Sequence, residues 1–313
     1  MSKLGLALGG GGARGIAHIG VLKVLEAEKI KITSISGCSM GAIVGGLYAY
    51  FGNVKEVEDF ILQAIKNTKN EIFNLNALYK DTAEKDKNYF EHLIEYIGER
   101  VNALKTLGRL SYFEDKAAND IFKMVPDISI GSLGIKFSAI ATDLNSGEEI
   151  NFTEGSLRTA LKASSAIPGI FPPVVLGSKL LVDGSASESV PVGRVREIGA
   201  DRVLAVDVTC RINTMRPAKN MLDILYRSHD ITSHHLSLLR LQEADLIIKP
   251  KVKTLSWVDF DQAAEIIAAG ETAARENLAE IKKLVHRNLY LFQIERYIKK
   301  LKRNTQRQFP PEY

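Results

Sequence analysis

The sequence predicts an α/β protein: a mainly parallel central sheet flanked by helices, three layers in all. Two observations carry this. The chain opens as strand, glycine loop, helix, strand, helix, and parallel strands need crossovers of that kind. Further on, apolar strand-length runs keep alternating with helix-length amphipathic ones.

Residues 3–8 read as the first strand. They run into Gly9-Gly10-Gly11-Gly12-Ala13-Arg14-Gly15, after which 16–28 have helical spacing, with Ile19, Leu22 and Leu25 on one side. Residues 32–35 alternate as a short strand and 42–48 continue as an apolar helix. Between them stands Gly37-Cys38-Ser39-Met40-Gly41, a G-x-S-x-G run. A strand turning sharply into a helix holds its apex residue in strained backbone and needs small flanks, so Gly37 and Gly41 leave Ser39 as the projecting hydroxyl. Parallel pairing of the first two strands puts the glycine loop and Ser39 on one rim of the sheet.

Residues 54–67 form the next predicted helix. The polar stretch 68–110 reads as a helical lid or insertion, or as surface filler. Ser111-Tyr112-Phe113-Glu114 matches a capping box and should start a helix ending before Pro126. Residues 135–142 and 149–153 are strands about the turn Asn145-Ser146-Gly147, and Ser156 caps a helix to about 165. The prolines and glycine of 166–173 preclude helix there. A hairpin about Gly177-Ser178 (174–176, 179–182) then delivers Asp183-Gly184-Ser185. A helix over 191–198, a strand over 202–208, a long helix over 222–245, a strand over 246–248 and one or two amphipathic helices over 263–302 complete the chain. Two units are expected: 1–210 with the α/β sheet, and 211–313 as a helical extension with a basic tail.

No apolar run reaches the roughly 18 residues needed to span a bilayer, and the N-terminus reads as a strand rather than a secretory signal. Two cysteines, Cys38 and Cys210, make neither a disulfide framework nor a zinc site, so a cytoplasmic protein is expected. The net charge of +4 hides an asymmetry: residues 282–307 hold nine Lys or Arg against one acid, Glu295. Such a tail can meet anionic phosphates or be the solvated face of a packed helix. Peripheral membrane contact is the partner expected of it, and no nucleic acid.

Gly10 to Gly15 satisfies G-x-G-x-x-G, but a dinucleotide site requires an acid at the end of the second strand, where Ser36-Gly37-Cys38-Ser39 stands instead. A P-loop fails too, because Ile16 follows Gly15 in place of Lys and Ser/Thr. What the loop does offer is a cluster of bare backbone N–H groups, suited to an oxyanion as well as to a phosphate. A serine nucleophile needs a base. Ser39, Asp183 and one of His229, His234 or His235 would follow the order of an α/β-hydrolase triad, although those histidines lie in a polar helical run. The other candidate base is Asp183 itself, whose pKa the site would have to raise. Cys38, beside the elbow tip, reads as buried filler. With no H-E-x-x-H and no calcium-type loop, neither metal nor other cofactor is expected.

Three dispersed motifs, Gly10-Gly11-Gly12-Ala13-Arg14-Gly15, Gly37-Cys38-Ser39-Met40-Gly41 and Asp183-Gly184-Ser185, resemble those of bacterial patatin-like phospholipases. Between the last two, residues 163–173 (ASSAIPGIFPP) resemble the family's segment before the aspartate, and Val190-Pro191-Val192 the one after it. The resemblance runs from Leu4 to about Val208. It implies a three-layer fold and a Ser-Asp dyad without histidine, in which Ser39 attacks an ester carbonyl, Asp183 is the base and an acyl-enzyme is hydrolysed. It also implies an oxyanion hole from the N–H groups of Gly10, Gly11, Gly12, Ala13 and Arg14, with Gly15, Gly37, Gly41 and Gly184 shaping the motifs. Arg14 either attracts a headgroup or fixes the loop. The family's third motif commonly ends in Gly or Ala where Ser185 stands here. The alternative function is a catalytically idle lipid- or protein-binding module of the same fold.

Overall fold

The computed structural model describes residues 3–68, 110–111, 113–209, 221–252 and 258–308. Among these, eight strands form one sheet. They are β1 (Leu4–Leu8), β2 (Ile32–Cys38), β3 (Lys136–Asp143), β4 (Glu149–Phe152), β5 (Val174–Leu176), β6 (Lys179–Asp183), β7 (Arg202–Val206) and β8 (Leu246–Ile248). The order is β5-β6-β3-β2-β1-β7-β8, with β4 also on β3. Pairing is parallel from β3 through β2, β1 and β7 to β8, and antiparallel where β4 and β6 meet β3 and β5 meets β6.

The α-helices among the described residues are α1 (Ala17–Ala27), α2 (Met40–Phe51), α3 (Val54–Asn67), α4 (Asp115–Phe122), α5 (Leu157–Ser164), α6 (Val192–Glu197), α7 (Met221–Leu241), α8 (Ala263–Glu276), α9 (Leu278–His286) and α10 (Leu289–Gln308). Alternation along the central strands sorts them into layers. Leu4, Leu6 and Leu8 of β1, with Leu204 and Val206 of β7, enter the large core beneath α1, α2, α3 and α8. Ala7, Val203 and Ala205 point the other way, to Val192 and Val195 of α6 and Leu241 of α7. The three layers are as expected.

Local signals act where the sequence places them. Ser156 caps α5 by accepting the Thr159 N–H at 3.1 Å, and Asn53 caps α3 through the Lys55 N–H at 2.8 Å. The expected capping box at 111–114 does not form: the Ser111 hydroxyl donates to the Phe113 carbonyl, and Glu114 itself occupies the N-cap position of α4 without a side-chain bond. The C-terminal run is three helices rather than one or two, broken about Asn277 and between His286 and Leu289. The segment 68–110, expected as lid or insertion, lies outside the described residues except for Thr68 and Leu110.

The expected boundary at 210 falls between β7 and α7, successive elements around one sheet. Beyond it β8 pairs with β7, so the later part is not only helical. α8 lies directly on α1: a Cβ at Gly270 would stand 1.9 Å from the Ala17 carbonyl oxygen. At the start of β7 the buried Arg202 guanidinium donates to the carbonyls of Leu284, Val285 and Arg287, and it stacks on Phe292 at 5.0 Å. The root of the basic tail is thereby tied to the edge of the sheet where β1 and β7 begin.

Candidate active site

Two strand ends meet on one edge of β3. β2 pairs with it up to Cys38 opposite Ile140, while β6 arrives antiparallel and ends with Asp183 opposite Ala141. β4 occupies the other edge of β3 at Ala139–Thr142, so β2 and β6 share the first. Neighbouring residues of one strand therefore hold the residue before Ser39 on one side and Asp183 on the other. Gly184 sits in this seam, where a Cβ would lie 2.5 Å from the Ile140 carbonyl oxygen.

Ser39 has φ 53° and ψ −125°, a left-handed conformation that costs a non-glycine residue about 1–3 kcal/mol and persists only where its surroundings impose it. The flanking glycines are required by contact. A Cβ at Gly37 would be 2.5 Å from Ala42 Cα, and one at Gly41 2.2 Å from the Leu8 carbonyl oxygen. The glycine loop lies against this elbow: a Cβ at Gly10 would touch Ser39 Cβ at 3.4 Å, and one at Gly15 would overlap Met40 Cβ at 2.6 Å. A single 3₁₀ turn, Gly12–Ile16, leads from the loop into α1. The first N–H groups of such a turn have no carbonyl behind them to bond.

The loop is held by groups the sequence reading did not single out. The Gly10 N–H donates to the Ser189 carbonyl at 2.9 Å, so Gly10 leaves the expected set of oxyanion donors, and Gly11, Gly12, Ala13 and Arg14 stay in it. Buried His18, on α1, donates from Nε2 to the Gly9 carbonyl at 2.8 Å; burial lowers its pKa to about 4, which keeps the ring neutral. Arg14 Nε donates to the Gly11 carbonyl at 3.3 Å, the loop-fixing part foreseen for it.

Ser39 and Asp183 are both buried, 5% and 1% exposed. Burial pushes the Asp183 carboxyl above the usual carboxylate range. The Ser39 hydroxyl, the Ser185 N–H at 2.8 Å, the Ser185 hydroxyl and the Cys38 thiol at 3.6 Å pull against that shift without cancelling it. Cys38 is thus buried as expected, but it is more than filler: its thiol, whose own pKa burial raises, leans on the aspartate. Ser185, the departure in the third motif, supplies two of the groups that grip it. No histidine is among these partners. α7 crosses the loop after Asp183, yet what it places there is Ser233, bonded to Ser189 Oγ at 2.6 Å; His229 and His235 are exposed and His234 half-buried. Among the described residues no three metal-ligating side chains cluster.

The family model described as patatin-like phospholipase matches residues 6–195, which take in the glycine loop, the elbow and the Asp183 turn. The chain belongs to the patatin-like phospholipase family. Its relatives there include an uncharacterized NTE family protein of Mycobacterium tuberculosis, 31% identical over 206 residues that cover 66% of this chain and 49% of that protein. Another is the lysophospholipase NTE1 of Cryptococcus neoformans var. neoformans, 32% identical over 208 residues, 66% of this chain and 11% of that one. The patatin-like chain thus spans less than half the length of either relative. Among solved structures, VipD from Legionella pneumophila aligns with a TM-score of 0.47 and 13% identity over 89% of this chain and 67% of that chain.

Proposed function

We propose that this patatin-like chain is a serine hydrolase of carboxylic esters in lipids, working through a Ser39–Asp183 dyad and an acyl-enzyme. One observation carries the reading: β2 and β6 converge on adjacent residues of β3, which sets the Ser39 hydroxyl against the Asp183 carboxyl. Asp183 takes the hydroxyl proton as Ser39 Oγ bonds to the ester carbonyl carbon. The carbonyl π pair moves onto oxygen, and the oxyanion is received by free N–H groups among Gly11, Gly12, Ala13 and Arg14. Each such donor contributes about 3 kcal/mol in comparable sites. When the pair returns, the alcohol leaves with the proton from Asp183; water, deprotonated by Asp183, then cleaves the acyl-serine. A raised carboxyl pKa suits this, since a stronger base pulls harder on a serine hydroxyl.

The names of the family and of the fungal lysophospholipase support a lipid substrate. The decisive experiment is ester hydrolysis by Ser39→Ala and Asp183→Asn proteins beside His234→Ala and His235→Ala. Activity lost in the first two alone supports the dyad, whereas loss in a histidine variant as well as in Ser39→Ala selects a triad. If a fluorophosphonate fails to label Ser39 in folded protein, the idle binding module takes the enzyme's place.

Peripheral contact with anionic lipid through residues 282–307, on a cytoplasmic protein, belongs to the same proposal. Among the described residues no helix is long and apolar enough to cross a membrane. α10 exposes Tyr290, Leu291, Tyr297 and Ile298 beside basic residues. Because Leu284 and Phe292 are buried, a truncation that tests the tail should begin at residue 299. Undiminished sedimentation of that protein with anionic liposomes would remove residues 299–307 from the proposal.

A further inference from the structure

Ser39 is strained, and something must hold it. Its backbone N–H donates to Ser164 Oγ at 3.0 Å, a bond between segments 125 residues apart. Ser164 ends α5 and is fully buried. Two residues on, the Ala166 carbonyl accepts the backbone N–H of Asp183 at 2.9 Å. One turn of chain therefore takes a main-chain N–H from each member of the dyad.

That turn has little freedom of its own. Its helix is pressed on the helix that follows the nucleophile, where a Cβ at Gly46 of α2 would lie 3.2 Å from both Leu157 Cδ1 and Leu161 Cδ2. On the other side, Ala163 and Ala166 join an apolar cluster with Ala141, Val174 and Leu181, from β3, β5 and β6. α5 is thus wedged between the two elements whose ends carry Ser39 and Asp183, and its last turn bonds to both. Only one of those two bonds uses a side chain, the Ser164 hydroxyl.

We propose that Ser164 is a positioning residue: its hydroxyl fixes the Ser39 backbone at the strained angle that aims Oγ at Asp183, while Ala166 fixes Asp183 from the same turn. The proposal rests on the dyad reading and adds a residue to it. The bond also commits the Ser39 N–H, so that the oxyanion is received from the glycine loop and not from the nucleophile's own amide. A hydroxyl is needed at 164, because it is the acceptor for the amide of buried Ser39; an apolar replacement leaves that N–H without its partner in the interior. Displacements of about 1 Å at reacting atoms cost on the order of a hundredfold in rate.

The test compares Ser164→Ala and Ser164→Cys with Ser138→Ala. Ser138 is another fully buried serine, bonded within the sheet to Ser36 Oγ at 2.8 Å rather than to Ser39 or Asp183. Hydrolysis of a soluble chromogenic ester gives kcat and KM, and a fluorophosphonate gives the labelling rate of Ser39. For Ser164→Ala a fall in kcat of roughly 10- to 100-fold is expected, with KM within about twofold and labelling slowed in parallel. Ser164→Cys, whose sulfur is a weaker acceptor, should fall between Ala and wild type. Ser138→Ala should lose stability with kcat kept. Equal kcat values for Ser164→Ala and Ser138→Ala, both folded, overturn the proposal. Should the alanine variant fail to fold, a Ser164→Cys protein as fast as wild type overturns it alone. A Ser39→Ala protein that still turns over refutes instead the acyl-enzyme on which the inference stands.

Discussion

Replacing Gly41 by alanine should damage both the fold and its chemistry, by amounts that follow from one contact. The new Cβ would stand 2.2 Å from the Leu8 carbonyl oxygen, 2.6 Å from Leu8 C and 2.7 Å from the Gly9 oxygen. An ordinary carbon–oxygen contact is about 3.3 Å, so relief demands a shift of about 1 Å. The obstacles are main-chain atoms at the end of β1, which cannot swing aside as a side chain would. Overpacking of this sort costs about 1–3 kcal/mol, and backbone opposition argues for the upper end, about 3 kcal/mol. The shift would drive the start of α2 away from β1 and so part Ser39 from the glycine loop. A misplacement of that size lowers kcat about a hundredfold. Urea denaturation reads the first quantity, and hydrolysis of a soluble ester by fully folded variant reads the second. A stability loss under about 0.5 kcal/mol together with kcat within about twofold would refute the argument, since the elbow could then not be seated against Leu8 as described.

Gly193→Ala provides the opposite case: within α6 nothing lies within 4 Å of the added Cβ, so a gain of about 0.5 kcal/mol is expected from the same denaturation assay. Arg202→Met removes the charged donor to the carbonyls of Leu284, Val285 and Arg287; unfolding free energy should drop by about 4 kcal/mol with kcat unchanged, because the change lies where β7 begins and the dyad lies where β2 and β6 end. Glu188 is 1% exposed beside Glu149, and burial followed by that neighbour raises its pKa from 4.5 to about 8, against the pull of Arg240 and Arg194. Between those pH values the folded protein holds a proton that the unfolded chain has lost, so stability falls as pH rises through the window. Glu188→Gln, which imitates the protonated form, should flatten that fall by about 1.4 kcal/mol per pH unit in denaturation series. The raised carboxyl of Asp183 must be ionised to act as base, so kcat should decline with acid at a pH above the ordinary carboxylate range, as a pH–rate profile would record.

Much of the site was legible because the strained elbow and the close backbone approaches restrict residue type. Gly37, Gly41 and Gly184 each stand where a methyl group would strike main chain, and such constraints write themselves as motifs. The β5–β6 hairpin and the Ser156 cap were equally readable, being local. What the chain did not announce depends on segments brought together only by sheet order. The carbonyl of Ser189 that claims the Gly10 N–H has no sequence signature, because every residue has a carbonyl. Ser164 and His18 are ordinary residue types whose importance lies in what faces them. Cys38 is buried, as expected, but its partner Asp183 could be known only once β6 was placed beside β3. The capping box at 111–114 shows the converse: a correct local pattern yielded when the Ser111 hydroxyl bonded to Phe113 and its backbone bridged to Gly169.

With β3 serving as the ruler, the spacing of the dyad is independent of how much chain separates its members. Eighty-four residues lie between the end of α2 at Phe51 and Lys136, yet none of them sets this spacing, since register against Ile140 and Ala141 does so. Peptide could be spliced into those intervening stretches, or trimmed from them, without detuning the catalyst. A slip of β6 by a single residue, by contrast, would turn the carboxylate to the opposite side of the sheet. Such an architecture lets a lineage remodel what surrounds its reactive centre freely while tolerating almost no change along a few ångströms of one strand.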